Sequence, residues 1–291
     1  MNILTLNAHS WCEPDQPAKI MEVARLLVRE RIDVVAIQEA NQLHAGIPGA
    51  HPVVQVHGDV AAGADNYADL LARACRHLGV DYQAHWVEAH LGFGIYDEGV
   101  AVLVRAQGPE APRVRDVVPV LVGDYPFADV RRRVVLAVRI EVQGQSLWVA
   151  SGHFSWWEMD GQPQFAQEWE AFSRWARSCG QELVILAGDL NAPADASGQG
   201  ADLWRSHGWV DTRDACARPE GCQTIVGGIA GWEDAREAMR IDYVLSNRPV
   251  DVDAHRVVFG HDSDTPVVSD HAGVLVAMNM QSSGKETFVD E

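Results

Sequence analysis

Two dense apolar runs, residues 32–37 and 183–187, each end on side chains that carry chemistry. Gln38-Glu39 follows the first and Gly188-Asp189-Leu190-Asn191 the second. Short, largely β-branched runs bounded by polar turns read as buried strands. The same ending recurs along the chain. Residues 3–6 end at Asn7, residues 147–151 lead to His153, a strand over 241–245 carries Asp242, and a strand over 272–276 is preceded by Asp270-His271. Apolar strands that finish in a carboxylate, amide or imidazole line up those groups along one rim of a sheet, where ligands bind in α/β folds.

Helical spacing separates some of these strands. It appears over residues 18–29 (Ile20, Val23, Ala24, Leu27, Val28), 66–78 (Tyr67, Leu70, Leu71, Ala74, Cys75, Leu78) and 164–178 (Phe165, Trp169, Phe172, Trp175). Further strands are predicted over 82–89, 99–104 and 134–142. Several of the central strands succeed one another without a helix, which favours a mixed sheet system with helices packed outside. There is no fixed-period repeat and no Pro/Ser-rich linker. The expectation is one domain over residues 1–279, with a flexible polar tail over 280–291. Two long loops, 41–63 and 213–236, are predicted to carry function.

Composition narrows the class of partner. Against 23 Lys and Arg stand 41 Asp and Glu, a net charge of −18. That balance repels polyphosphate backbones at long range and disfavours tight non-specific nucleic-acid binding, although a local basic groove stays open. Cys12, Cys75, Cys179, Cys216 and Cys222 are odd in number, widely spaced and free of CxxC pairs. Neither a disulfide framework nor a zinc knuckle is expected, and a reducing cytoplasm fits. The N-terminus lacks the basic and apolar regions of a signal peptide, and no run suits a membrane helix, so a cytoplasmic protein without a membrane partner is expected.

Oxygen-rich ligation from Asp and Glu suits a hard ion, Mg²⁺ or Mn²⁺, over zinc or copper. HExxH, GxSxG and P-loop patterns are absent. Each polar strand end, taken alone, is an ordinary turn: Asp189-Leu190-Asn191 could be an Asx-turn, and Glu39 or Asp270 a capping carboxylate. Their coincidence argues for a site.

Leu6-Asn7, Ile37-Gln38-Glu39, Ser151-Gly152-His153, Gly188-Asp189-Leu190-Asn191, Arg240-Ile241-Asp242-Tyr243 and Ser269-Asp270-His271 stand in the order found in the endonuclease/exonuclease/phosphatase superfamily. The resemblance spans roughly residues 2–278. It implies a DNase I-like fold: a four-layer α/β sandwich, two stacked mixed β-sheets flanked by helices, with the site at one end. It also implies roles. Glu39 would bind the metal with Asn7 beside it, and Asp270 would serve a metal position. Asp189 would orient or deprotonate the attacking water, and Asn191 would fix that water and the phosphoryl oxygens. His271, oriented by Asp242, and His153 would stabilise the phosphoryl charge or protonate the leaving oxygen. Asp97-Glu98-Gly99 precedes a strand where nuclease-like members pair a Glu with the first His, so Glu98 is expected to orient His153.

Other residues are open between packing and binding. His9 follows Asn7 at the rim and is an even choice for a substrate contact. Trp156 and Trp157 follow His153, and Trp232 precedes Asp242 in a long loop; each could stack on a sugar or base or simply pack. In Arg131-Arg132-Arg133 the sequence slightly favours a solvated strand edge, with Arg133 a candidate substrate contact. His44, His51, His57, His77, His85, His90, His207, His255 and His261 read as mostly surface or helix positions. Leu6-Asn7-Ala8-His9-Ser10-Trp11, Ser155-Trp156-Trp157 and Val267-Val268-Ser269-Asp270-His271 are similar to the bacterial branch that includes maltose 6'-phosphate phosphatase. The resulting expectation is a metal-dependent phosphatase for a small phosphorylated metabolite such as a sugar phosphate. A DNA or RNA nuclease is the alternative, and a non-catalytic phosphate-binding module would have lost ligands that are all present here.

Overall fold

A computed structural model describes residues 1–229, 231–232 and 236–280. The chain runs β1 (Asn2–Asn7), a 3-10 turn (Ser10–Cys12), α1 (Gln16–Arg29), β2 (Val34–Gln38), β3 (Gln42–Leu43), β4 (Val54–Val56), α2 (Tyr67–His77), β5 (Tyr82–Gly92) and β6 (Tyr96–Arg105). It continues through β7 (Arg113–Gly123), β8 (Arg133–Val142), β9 (Gln145–His153), α3 (Gln164–Ser178), β10 (Leu183–Asp189), α4 (Gly200–Ser206), β11 (Val210–Asp211) and α5 (Thr212–Ala215). β12 (Asp242–Ser246), β13 (Asp251–Val258) and β14 (Gly273–Asn279) complete the described residues.

The strands form two sheets. The first has the order β13-β14-β1-β2-β6-β5-β4, with β3 also paired to β6; the second has the order β11-β12-β10-β9-β8-β7. β1–β2, β4–β5 and β9–β10 are parallel and the other ladders antiparallel, so both sheets are mixed. Alternation along each strand builds three apolar layers. Ile3, Val34 and Val102 of the first sheet meet Val138, Val149 and Ile185 of the second. On the outer face of the first sheet, Leu4, Val35 and Leu103 lie under Ile20, Val23 and Leu27 of α1 and Leu71 and Cys75 of α2. On the outer face of the second, Val184 and Leu186 lie under Phe165, Trp169 and Phe172 of α3 and Trp204 of α4. This is the expected four-layer sandwich. Among the described residues, no helix is long and apolar enough to cross a membrane.

Every strand and helix expected from sequence is present, with ends moved by a few residues. Five strands were not expected. β7 and β13 are edge strands, rich in exposed charge and, in β7, interrupted by Pro119, so they lack the buried pattern. β3, β4 and β11 are two or three residues long, and β3 and β4 sit inside the expected loop 41–63. Glu98 lies within β6 and does not precede it. Of the expected tail only Met280 falls within the described residues.

Candidate active site

Asp189 is the centre of the rim. It ends β10, beside His153 in the parallel ladder with β9 and Asp242 in the antiparallel ladder with β12. Gly188 permits this close approach, because a Cβ there would meet the Gly152 carbonyl oxygen at 2.0 Å. Asp189 is 1% exposed. Its Oδ2 accepts a hydrogen bond from Asn7 Nδ2 at 3.0 Å and lies 3.7 Å from His153 Nε2 and 3.8 Å from His271 Nε2. Its Oδ1 accepts from the Asn191 backbone N–H at 2.9 Å, an Asx-turn that holds the carboxylate in place.

Two imidazoles face this carboxylate, each backed by another acid. Asp242 Oδ2 is 2.9 Å from His271 Nδ1. Burial alone would lower the proton affinity of His271; Asp242 and Asp189 outweigh it and raise the pKa to about 10. Burial, with the Asp189 charge, pushes Asp242 up, and the His271 imidazolium opposes that rise. On the other side, Glu98 Oε1 is 3.3 Å from His153 Nδ1. Burial would raise the Glu98 carboxyl, but His90, His153 and Arg133 together hold it well below the usual carboxylate range. Burial pushes His90, 3.5 Å from Glu98, down to about 4.

Glu39 stands where β2 leaves the sheet and accepts from Asn7 Nδ2 at 2.9 Å. Burial, and then the nearby Glu98 charge, raise its carboxyl. Glu39, Asn191 and His9 all adopt left-handed backbone, with φ of 49°, 45° and 46°. Such conformations cost non-glycine residues roughly 1–3 kcal/mol each and concentrate at functional sites. His9 Nδ1 is 2.8 Å from Glu13 Oε1 and 3.5 Å from Asp270 Oδ1. His9, Glu13 and Asp270 offer ligand atoms within 4.8 Å of one another, as do Asp189, Asp242 and His271. Lys19 also pairs with Glu13.

The strand-end residues read from sequence therefore meet at one rim, with Glu98 among them. The aromatic residues divide. Trp232 Nε1 donates to Asn191 Oδ1 at 3.0 Å. Trp156 packs on Gly231, where a Cβ would meet its ring at 2.1 Å. Trp157 packs on Phe165, with ring centroids 6.3 Å apart, and so serves the core under α3. The solvated-edge reading of the arginine run is wrong for Arg133, which is 2% exposed with its guanidinium turned toward Glu98, His153 and Ser155. Arg131 pairs with Asp129, and Arg132 donates to backbone oxygens of Glu88 and Ala89. The surface reading also fails for His85, His90 and His255, which are buried in strands. His44 pairs with Asp97 at 2.6 Å, His57 with His85 at 3.0 Å, and His207 accepts from Trp169 Nε1 at 3.0 Å.

Sequence reasoning missed the second tier. Gln38 bridges the sheets, accepting from Thr5 Oγ1 and donating to Ser151 Oγ at 3.0 Å, while Ser151 Oγ donates to the Ile37 carbonyl. Thr224 Oγ1 accepts from the backbone N–H groups of Ile241 and Asp242, and Ser269 Oγ donates to the Asn7 carbonyl. Polar residues inside apolar strands, such as Thr5 and Ser151, were the available signal.

Fold and rim define a four-layer α/β sandwich with a recessed site of carboxylates, amides and imidazoles at one end. A profile of the Endonuclease/Exonuclease/phosphatase family matches residues 4–271, and the chain belongs to that family. Its members are hydrolases, phosphatases and nucleases among them. A family protein from Leptotrichia buccalis superposes with a TM-score of 0.80 at 27% identity, over 96% of this chain and 99% of that one. A mannosyl-6-phosphatase from Bacteroides thetaiotaomicron gives 0.66 at 14% identity, over 96% and 99%. D. rerio TDP2, complexed with a single-strand DNA product, gives 0.64 at 16% identity, over 96% and 98%. The last two likenesses carry the fold alone. No curated protein gives a significant match.

Proposed function

We propose that this chain is a divalent-metal-dependent phosphoesterase that hydrolyses the monoester of a small phosphorylated metabolite, a sugar phosphate being the favoured class. The observation that carries the reaction type is the pair of acid-backed imidazoles, His271 on Asp242 and His153 on Glu98, converging on the buried Asp189. Phosphoryl transfer requires an oriented water and positive groups around the equatorial oxygens. Asp189 is the group to orient the water and take its proton. Asn191 holds the water and phosphoryl oxygens in place. His271, protonated at neutral pH, donates to the phosphoryl group, and His153 holds a proton for phosphoryl charge or leaving oxygen.

The donor set fits a hard cation. Glu39 is a carboxylate short of positive charge, since burial and Glu98 both raise its pKa. Glu39 and Asp270 would hold the ion, with Asn7 tying Glu39 to Asp189. Mg²⁺ or Mn²⁺, when bound, supplies charge neutralisation and Lewis acidity at the phosphoryl oxygens.

The preference for a small substrate rests on a cavity of about 560 Å³ that reaches Asp270 and His271 between segments 220–226 and 256–264. Such a volume suits a small ligand. Glu220, Asp262 and Asp264 line it, and Arg256, the one guanidinium lining it among the described residues, pairs with Glu30 at 3.0 Å. Acidic walls accept sugar hydroxyls and repel a polyanion. The test is hydrolysis of a sugar-monophosphate panel and of plasmid DNA, each with Mg²⁺, Mn²⁺ or EDTA. Metal-dependent release of phosphate, faster from sugars than nicking of plasmid, is expected. EDTA-resistant turnover would sink the metal assignment, and efficient nicking at low enzyme concentration would reverse the substrate ranking.

A further inference from the structure

We propose that Glu13 is a positioning residue that holds the His9 imidazole away from Asp270 and so leaves the Asp270 carboxylate open to a cation. The inference rests on the reading of Asp270 as a metal-holding carboxylate.

Glu13 lies outside the strand-end set, between β1 and α1. The 3-10 turn Ser10–Cys12 carries the chain around so that His9 and Glu13 face each other. Two backbone hydrogen bonds close that turn, from the Cys12 N–H to the His9 carbonyl and from the Glu13 N–H to the Ser10 carbonyl, both at 3.0 Å. His9 and Ser10 take left-handed backbone within it, with φ of 46° and 40°. The Glu13 carboxylate then collects three partners. Its Oε1 lies 2.8 Å from His9 Nδ1 and accepts the Asp270 backbone N–H at 3.1 Å, and its Oε2 pairs with Lys19 from the first turn of α1. One carboxylate thus joins the loop after β1, helix α1 and the turn before β14. An ionised carboxylate offers about four acceptor positions. Protein groups fill most of them here, so Glu13 is better placed to hold its neighbours than to hold an ion.

The ring it holds stands between two acids. His9 Nδ1 is 3.5 Å from Asp270 Oδ1, outside the range of roughly 2.7–3.2 Å for an N–H···O bond. Glu13 has the hydrogen bond, and Asp270 only the near approach. The Asp270 side chain is 21% exposed, against 2% for Asp189 and 0% for Asp242. Its own side-chain donor is weak: Ser269 Oγ lies 3.3 Å from Oδ1 and donates at 2.7 Å to the Asn7 carbonyl instead. A carboxylate left this open suits a hard cation, which takes oxygen ligands. It equally suits an imidazole N–H, and one settled there would occupy a lone pair and offset the charge that draws the cation. Glu13 removes that competitor. It gives His9 the nearer acceptor, and it pins the Asp270 backbone while leaving the side chain alone. Lys19, on the other oxygen, keeps Glu13 from swinging away.

The experiment is titration calorimetry of Mg²⁺ and Mn²⁺ into the metal-free protein, with crystal structures of the metal-free variants. Glu13→Ala should weaken Mg²⁺ binding by roughly ten- to a hundred-fold, the range for groups that orient a metal ligand. In its crystal structure His9 Nδ1 should come within hydrogen-bond distance of Asp270. His9→Gly, which suits the left-handed backbone, should bind Mg²⁺ nearly as the wild type does. The double variant Glu13→Ala/His9→Gly should recover most of the loss, because the two substitutions act on one contact and so do not add. A merely loosened loop would not be mended by a second truncation. If Glu13→Ala fails to fold, Glu13→Gln, which keeps an acceptor and deletes the charge, should weaken Mg²⁺ binding in the same direction by less. Unchanged affinity in a folded Glu13 variant would overturn the proposal, as would a double variant as weak as Glu13→Ala, or a ring that stays where it is in the Glu13→Ala structure. A loss in His9→Gly as large as that in Glu13→Ala would make His9 a ligand itself and overturn it too. A wild-type chain that binds neither ion would instead sink the metal reading of Asp270, and the proposal with it.

Discussion

Replacing Asp242 by Asn should remove a stability contribution that the wild type loses as pH rises. The substitution keeps a hydrogen-bond acceptor 2.9 Å from His271 Nδ1 and deletes the charge. His271 moves from 6.5 to about 10 on folding, burial being overcome by Asp242 and Asp189. At about 1.4 kcal/mol per tenfold change in proton affinity, that corresponds to on the order of 5 kcal/mol as an upper bound. The folded-state pKa is raised, so this stability is fully present below about pH 6.5 and falls away as pH climbs to about 10. Asp242 is nearer than Asp189, which stands 3.8 Å away, so the Asn variant should forfeit more than half, about 3 kcal/mol. The assay is urea unfolding of both proteins in EDTA at pH 6, 8 and 10. His9, also raised to about 10 against burial by Cys12, Asp270 and Glu13, titrates in both proteins and cancels in the difference. The gap between them should be widest at pH 6 and close by pH 10. A gap that stays constant over that range would refute the account of His271 as an imidazolium held by Asp242.

With Mg²⁺ present, Asp189→Ala and His271→Ala should each lower kcat by several orders of magnitude without unfolding the protein, as circular dichroism would check. Glu98→Gln should lower turnover roughly ten-fold or more and leave Mg²⁺ affinity, read by titration, nearly unchanged. Trp232→Phe removes the donor to Asn191 Oδ1; at about 1 kcal/mol for such a bond, kcat should fall by roughly five-fold in a steady-state assay. Gly188→Ala puts a Cβ 2.0 Å from the Gly152 oxygen and should cost about 1–3 kcal/mol in urea unfolding.

The rim was legible because each of its members ends a strong local signal. Residues 32–37 and 183–187 can hardly be anything but buried strands, so Glu39 and Asp189 are placed by counting. The edge strands β7 and β13 were not legible, because an edge is selected by what it pairs with and can carry exposed charge on most positions. Arg133 misled for a related reason. Three arginines at a strand start look solvated, and only the neighbouring strand and helix reveal that the third has two buried acids to meet. His90 and Glu168 were invisible because each looks like an ordinary polar position of its strand or helix until the fold buries it beside Glu98 or Ser155.

What sequence could least show is that the decisive pairs all cross from one sheet to the other. Asn7 of β1 reaches Asp189 of β10, Glu98 of β6 reaches His153 of β9, and Asp242 of β12 reaches His271 just before β14. Beneath them Gln38 of β2 reaches Ser151 of β9. Neither backing pair, Glu98 with His153 or Asp242 with His271, lies within one sheet, so the site is complete only when the sandwich closes. Its geometry is then set by the layer between the sheets, where Ile3, Val34 and Val102 meet Val138, Val149 and Ile185. Face-to-face sheets stand about 10 Å apart because of the side chains between them, and close-packed cores transmit small volume changes. A shift of a few tenths of an ångström in that spacing acts on every crossing pair at once. The apolar layer thus serves as the spacer that brings two half-sites into register.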